Sequence, residues 1–205
     1  AVRERAAFDI SEIAVFVSAP EAFSEANLGC SVGASLKRIE AIFKALPVGI
    51  RVRGYISCVT DCPFEGLVSA DAVGLLSKDL KVLGCDTLAL ADTIGKGTPE
   101  RVAPMLEAAL AQWSPDLVAA HFHDTVGLAL ANVDVALEAG RTTFDCSVAG
   151  LGGCPYAPGA PGNLATEDLV RHLQGRGLEV SIDLERLSEA ADMARRMVGR
   201  SGEVA

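Results

Sequence analysis

The sequence predicts an α/β fold built around a parallel β-sheet. Three observations carry the prediction. Five short runs rich in Val, Ile and Ala read as strands: EIAVFVSA (12–19), RVRGYISC (51–58), DTLALAD (86–92), LVAAHFH (117–123) and TTFDCSVAG (142–150). Helical patterns with recognisable caps lie between them. The strand–helix rhythm repeats every roughly 25–40 residues, which marks βαβ units. Most of the runs are too uniformly apolar for a half-exposed antiparallel sheet, so buried parallel strands are expected.

After the first run, Ser31 is a side-chain cap for a helix running towards Ala45, and after the second, Ser69 caps one ending near Gly84. Thr98 followed by Pro99 forms an N-cap and N1 pair opening a helix towards Trp113. A fourth helix runs from about Leu128 to Ala139, with Gly140 as its stop. Two more follow the fifth strand, near Ala165–Leu173 and from Asp183 to Val198. The segment GLGGCPYAPGAPGN (150–163), between a strand and a helix, reads as a functional loop rather than a linker. Five βα units are too few for a closed (β/α)8 barrel, which takes ~250 residues. The chain also opens inside a helix-like stretch, RERAAFD, with no cap before it. Either the sheet is open and doubly wound, or the front of a barrel is missing.

A chain of 205 residues suits one domain with a sizeable core, and 50% hydrophobic residues is a globular composition. The net charge is −9 and no cluster of Lys and Arg offsets it, which argues against nucleic acid and anionic membrane as partners. No apolar run reaches the ~18 residues of a membrane span. The opening AVRERAAFD does not resemble a signal peptide, so a cytoplasmic location is expected. The six cysteines fit a reduced protein better than a disulfide scaffold, with Cys85 and Cys146 as small core residues.

The chemistry concentrates in HFHDT (121–125). Side chains alternate along a strand, so His121 and His123 share one face at the C-terminal end of theirs, where βα folds place active sites. Two imidazoles stacked there can reach one cation, with Asp124 and Thr125 available to hold ring N–H groups or to line the pocket. Asp92, ending LALAD, either orients a substrate group or closes an Asx-type turn. Arg53 matches a substrate carboxylate or an internal one equally well. Cys154 presents a loop thiol able to transfer a proton. Asn163 is an N-cap or an oxygen ligand to a hard cation. Cys58 and Cys62, a single C-x3-C pair, are weak evidence for zinc. His172 reads as a surface residue.

SVAGLGGCPYAPGAPGN (147–163) closely resembles the glycine-loop signature of 3-hydroxy-3-methylglutaryl-CoA lyases, members of the DRE-TIM metallolyase superfamily. RVRGYISC with CPFEG (51–66), LALADTIGKGTP (88–99), HFHDTVGLALAN (121–132) and GNLATEDLV (162–170) support it. The H-x-H-D element is shared with related homocitrate and isopropylmalate synthases. Pro161 departs from the small Ser or Thr usual in that loop. The resemblance implies a TIM barrel, a divalent cation, Mg²⁺ or Mn²⁺, and cleavage of hydroxymethylglutaryl-CoA to acetyl-CoA and acetoacetate, the chemistry of leucine degradation and ketone bodies. It implies that His121, His123 and Asn163 form the metal site and that His121 assists proton transfer. Cys154 would protonate the acetyl-CoA carbanion. Arg53 and Thr93, with Asp92 close by, would hold the carboxylate end. Lys96, at a glycine turn before a helix, is a candidate for the coenzyme A phosphates.

The family's first-strand G-P-R-D-G motif and its second-strand glutamate have no counterpart here. The five strands therefore read as strands four to eight, and residues 1–205 as a single catalytic barrel domain lacking its N-terminal strands. Two ring nitrogens and an amide hold Mg²⁺ poorly, and such a set suits Zn²⁺, Ni²⁺ or Co²⁺ better. The expected partner is a small-molecule acyl-CoA, with a homodimer as one assembly. The competing readings are an inactive fragment that associates through exposed strand edges and a Claisen-type acyl-CoA synthase.

Overall fold

The structure, a computed structural model, describes residues 10–153, 155–156 and 162–199. The helix-like RERAAFD stretch, Cys154 and Pro161 lie outside the described residues. Five parallel strands form one sheet in the order β1 (Glu12–Ser18), β2 (Arg51–Ser57), β5 (Thr87–Asp92), β6 (Val118–Phe122) and β7 (Phe144–Asp145). A separate antiparallel hairpin, β3 (Asp61–Cys62) with β4 (Gly66–Leu67), stands above the end of β2. Helices α1 (Glu21–Leu28), α2 (Val32–Ala45), α3 (Ala70–Leu83), α4 (Pro99–Leu110) and α5 (Ala129–Glu138) alternate with the strands, and α6 (Thr166–Gly175) and α7 (Leu184–Met197) close the chain. Among the described residues no helix is long and apolar enough to cross a membrane.

The helix boundaries follow from local chemistry. Ser31 and Ser69 each accept a hydrogen bond from the backbone N–H three residues on, capping α2 and α3. α3 stops at Gly84, whose φ of 107° is left-handed. Asp183 caps α7 by accepting from two backbone amides. Thr98 stands at the N-cap of α4 but makes no side-chain cap bond, and the start there rests on Pro99.

The expectation of strands buried on both faces holds for β5 and β6, where all but one residue of each is buried, and needs correction for β1 and β2. Along β2, Val52, Gly54 and Ile56 are buried while Arg53 and Tyr55 between them are only partly so, and β1 alternates likewise, with Ala14 and Phe16 exposed. The covered face packs on Ile39, Leu80, Met105, Leu106 and Val133 from the helices. A Cβ added at Gly54 would lie 3.0 Å from Leu80 and 3.1 Å from Cys85, so helix and sheet approach closely there. Helices on one face are unlike a doubly wound sheet, which is covered on both.

The open face is concave. Arg53 on β2 and Asp145 on β7 are three strand positions apart, which is about 14 Å in a flat sheet. Their side chains nevertheless meet at 2.8 Å. The sheet must curl to bring them together, and Ala89 and Ala119, in the intervening strands, contribute only methyl groups to the space crossed. The fifth strand is shorter than the expected 142–150: only Phe144 and Asp145 pair, after which the chain enters a 3-10 turn at Val148–Gly150.

Candidate active site

The C-terminal mouth of the sheet gathers the chemically active side chains. β6 runs through Val118, Ala119 and Ala120 to His121, with His123 just beyond the strand. The two imidazoles lie with ring centroids 5.4 Å apart and planes inclined at 32°. An ion coordinated at about 2.1 Å by a nitrogen of each ring spans such a gap. His123 is buried; burial, and then the neighbouring His121, pull its pKa from the usual histidine range down to about 4. It is therefore a neutral ring, the ligating form, throughout the physiological range.

Asn163 joins them from the glycine loop. Its backbone forms an isolated antiparallel bridge with His123. Its Nδ2 donates to the carbonyls of Leu151 (2.9 Å) and Gly152 (3.0 Å), which fixes the amide's orientation. Among the described residues, the Oδ1 atom is buried with no partner. A buried amide oxygen without a donor is costly unless something else meets it, and a cation is one such group. Gly162 makes the placement possible: its φ is +103°, and a Cβ there would fall 2.5 Å from the carbonyl oxygens of both Gly150 and Gly152. The start of the same loop is anchored by buried Glu167, which accepts from Ala149 N (3.0 Å) and pairs with Arg195 of α7 (2.9 Å).

Asp145 was not among the residues the sequence singled out. Its Oδ1 accepts from Arg53 Nη2 at 2.8 Å, and its Oδ2 accepts from the Tyr55 hydroxyl at 2.8 Å and faces His121 Nδ1 at 3.4 Å. Burial alone would raise its pKa, but the bonds from His121 and Tyr55 and the Arg53 charge outweigh this and hold it below the ordinary carboxylate value. Tyr55 is pushed up to about 12, by burial first and then by Asp145. Tyr55 stacks on Phe16 (4.9 Å) and receives the Arg53 guanidinium over its ring (5.0 Å). The one available signal for Asp145 was an acidic residue inside an apolar run.

Arg53 thus stands in the same cluster as the histidines, already paired with an internal carboxylate. Asp92 is fully buried beneath the site. Its Oδ1 accepts from the Thr60 hydroxyl (2.9 Å), in the segment after β2, and its Oδ2 accepts from Gly97 N (2.8 Å) and holds the turn into α4. Burial raises its pKa despite these bonds. Thr93 Oγ1 accepts from Cys58 N (2.8 Å) and donates to Ala91 O (3.3 Å). Asp124, expected beside the imidazoles, instead accepts from Ala129 N at 2.9 Å and caps α5. The Thr125 hydroxyl is buried against Gly95. Lys96 is exposed on its turn. Cys58 and Cys62 pack in an apolar cluster with Phe23 and Ile94. Among the described residues no three His, Cys, Asp or Glu side chains converge as a metal set. The donors present are two imidazoles and an amide. His172, expected at the surface, bridges α6 to α5 through Asp134 (2.7 Å), which also takes Arg176.

A family model described as HMGL-like matches residues 2–194. The chain is 49% identical over 179 residues to the hydroxymethylglutaryl-CoA lyase of Pseudomonas mevalonii, covering 87% of this chain and 60% of that protein. It spans 41% to 60% of the length of the first curated relatives it matches. Among solved structures, the HMG-CoA lyase of Brucella melitensis superposes with a TM-score of 0.91 at 45% identity, covering 96% of this chain and 70% of that one. An HMG-CoA lyase from Acinetobacter baumannii, in complex with coenzyme A and 3-methylmalate, gives 0.91 at 33% identity, covering 98% and 67%.

Proposed function

The chain belongs to the HMGL-like family, and from that premise we propose that it forms the metal-binding and loop-bearing part of a hydroxymethylglutaryl-CoA lyase. On this reading its five strands are five of the eight in a TIM barrel, and residues 1–205 are one catalytic domain. The parallel, consecutive, one-faced and inwardly curled sheet supports that assignment. The observation that carries the activity is the convergence of His121, His123 and the unpartnered Asn163 Oδ1 at the C-terminal mouth.

These three donors fit a divalent cation, Mn²⁺ better than Mg²⁺. Bound there, it would lower the pKa of the substrate's tertiary alcohol and favour negative charge on that oxygen. The absence of a carboxylate from the set favours Mn²⁺ or a softer ion over Mg²⁺ for the chain by itself. Each residue then has a task. His123 and Asn163 hold position, since one is neutral and buried and the other is locked by its Nδ2 bonds. His121, a ligand through one ring nitrogen, assists proton transfer as the carbon–carbon bond breaks through the proton its other nitrogen shares with Asp145, not by taking one up on a ligating nitrogen. Arg53 has donors beyond the one given to Asp145 and meets the substrate carboxylate, with the Thr93 hydroxyl beside it. Asp92 supports both by closing the turn below. Cys154 returns a proton to the departing carbanion. The acyl-CoA substrate class is supported by the coenzyme A-bound relative, with Lys96 offered for the phosphates.

The test is acetoacetate release from 3-hydroxy-3-methylglutaryl-CoA with added Mn²⁺ or Mg²⁺. It is run on the 205-residue chain and on the longest reading frame containing it, each compared with Cys154→Ala. Release that requires the cation and falls with the thiol is expected. A longer protein that binds cation and acyl-CoA but yields a condensation product would overturn the lyase assignment in favour of a synthase.

A further inference from the structure

We infer that Asp145 is a positioning residue for His121: its carboxylate, clamped by Arg53 and Tyr55, fixes the imidazole as the Nδ1–H tautomer and leaves Nε2 as the ring's lone-pair nitrogen. The inference deepens the metal-site reading, but it rests on a hydrogen-bond network that exists without any cation.

The argument is one of donors and acceptors. A carboxylate only accepts. Asp145 Oδ1 is taken by the Arg53 guanidinium and Oδ2 by the Tyr55 hydroxyl, so neither oxygen is free to swing away. Oδ2 is also the atom facing His121 Nδ1, at 3.4 Å. A neutral ring carries one proton, and the nitrogen facing an acceptor-only group is the one that bears it. Tyr55 adds a steric restraint, meeting the His121 ring edge-on at 6.3 Å. The register supports the arrangement, since His121 and Asp145 are paired residues on adjacent parallel strands. A ligating imidazole needs its second nitrogen held in this way, and losing such a partner typically weakens metal affinity by about 10–100-fold.

Asp145→Asn gives a sharp test because Arg53 dictates how the new amide sits. The guanidinium needs an acceptor, so the amide oxygen takes the Oδ1 position and its NH2 takes the place of Oδ2. That NH2 then donates towards His121 Nδ1 and drives the proton to Nε2. The measurement is long-range ¹⁵N–¹H correlation of the imidazoles in the chelator-treated 205-residue chain. Its three histidines are assigned through His172→Gln and His123→Gln. We expect Nδ1–H for His121 in the wild type, Nε2–H in Asp145→Asn, and an unchanged Nδ1–H in Tyr55→Phe, which keeps the carboxylate. Mn²⁺ affinity, read by titration calorimetry, should fall by about 10–100-fold in Asp145→Asn. A wild-type His121 protonated on Nε2 overturns the inference, and that spectrum needs no variant to fold. An unchanged tautomer in a folded Asp145→Asn overturns it as well. The expected tautomers together with no Mn²⁺ binding would uphold Asp145's role and count against the metal reading alone.

Discussion

His123 makes the stability of the metal-free chain depend on pH in a calculable way. Its pKa is about 4 in the fold against 6.5 for an unperturbed histidine. Between those values the unfolded chain carries a proton at this position that the folded chain refuses, so acidification favours unfolding. The contribution is whole above pH 6.5, declines as pH falls, and is lost once pH drops through about 4. A shift from 6.5 to about 4 corresponds to about 3 kcal/mol. The group is 9% exposed, so solvent screening removes little of this. The assay is urea unfolding from pH 7.5 to 4 with chelator, followed by Trp113 fluorescence. Trp113 is the sole tryptophan, is buried, and donates its indole N–H to Ser77 O at 2.9 Å. Carboxylates titrate over the same window in both proteins, so the difference between wild type and His123→Gln isolates the ring. That difference should shrink by about 3 kcal/mol on going from neutral pH to pH 4. A difference constant to within about 1 kcal/mol, or a His123 ring resonance titrating near 6.5, would refute the reasoning.

Three further outcomes follow from packing and hydrogen bonding. Gly162→Ala must push the loop backbone off the Gly150 and Gly152 carbonyls, endangering the bonds Asp124 N→Gly162 O and Asn163 N→Gly152 O, each 3.0 Å. A loss of about 3 kcal/mol is expected, from roughly 1 kcal/mol per bond and a similar backbone strain, visible as a lower urea midpoint at unchanged slope. Asn163→Ala should lower Mn²⁺ affinity by at least about tenfold in calorimetry while costing only about 1–2 kcal/mol of stability for its two lost Nδ2 bonds. Ala89→Leu places bulk where Arg53 and Tyr55 cross to Asp145; it should cost about 1–3 kcal/mol in urea unfolding and release the His121 tautomer, whereas a wild-type imidazole spectrum would mean that the space is not needed.

Elements with a local cause were legible in the sequence. Ser31, Ser69 and Asp183 are caps whose chemistry acts within three residues, and the helices after them start where expected. Helix α1 had no such signal: it follows Pro20 without a side-chain cap and is held by burial of Phe23 against Phe64 and Tyr156 and by Glu21 bonding Val32 N. The β3–β4 hairpin has two residues per strand, too few for a periodic pattern. The His121–His123 pair was readable because alternation along one strand puts both on one face. Asp145 was not, because its meaning depends on the pairing of β6 with β7 and on the curl that brings β2 within reach. Asp124 and Asp92 illustrate the converse. Both flank the site in sequence, yet local turn geometry claims their carboxylates for backbone amides.

The brevity of β7 has a mechanical consequence. A strand with two paired residues has little ladder of its own to resist displacement, yet it carries the carboxylate that faces His121. Its alignment is delegated to Arg53 and Tyr55, which act as tie-rods from the opposite side of the curl. A change at Arg53 therefore reaches an imidazole two strands away without shifting the strand between, so the carboxylate that places the proton at the mouth can be tuned from β2.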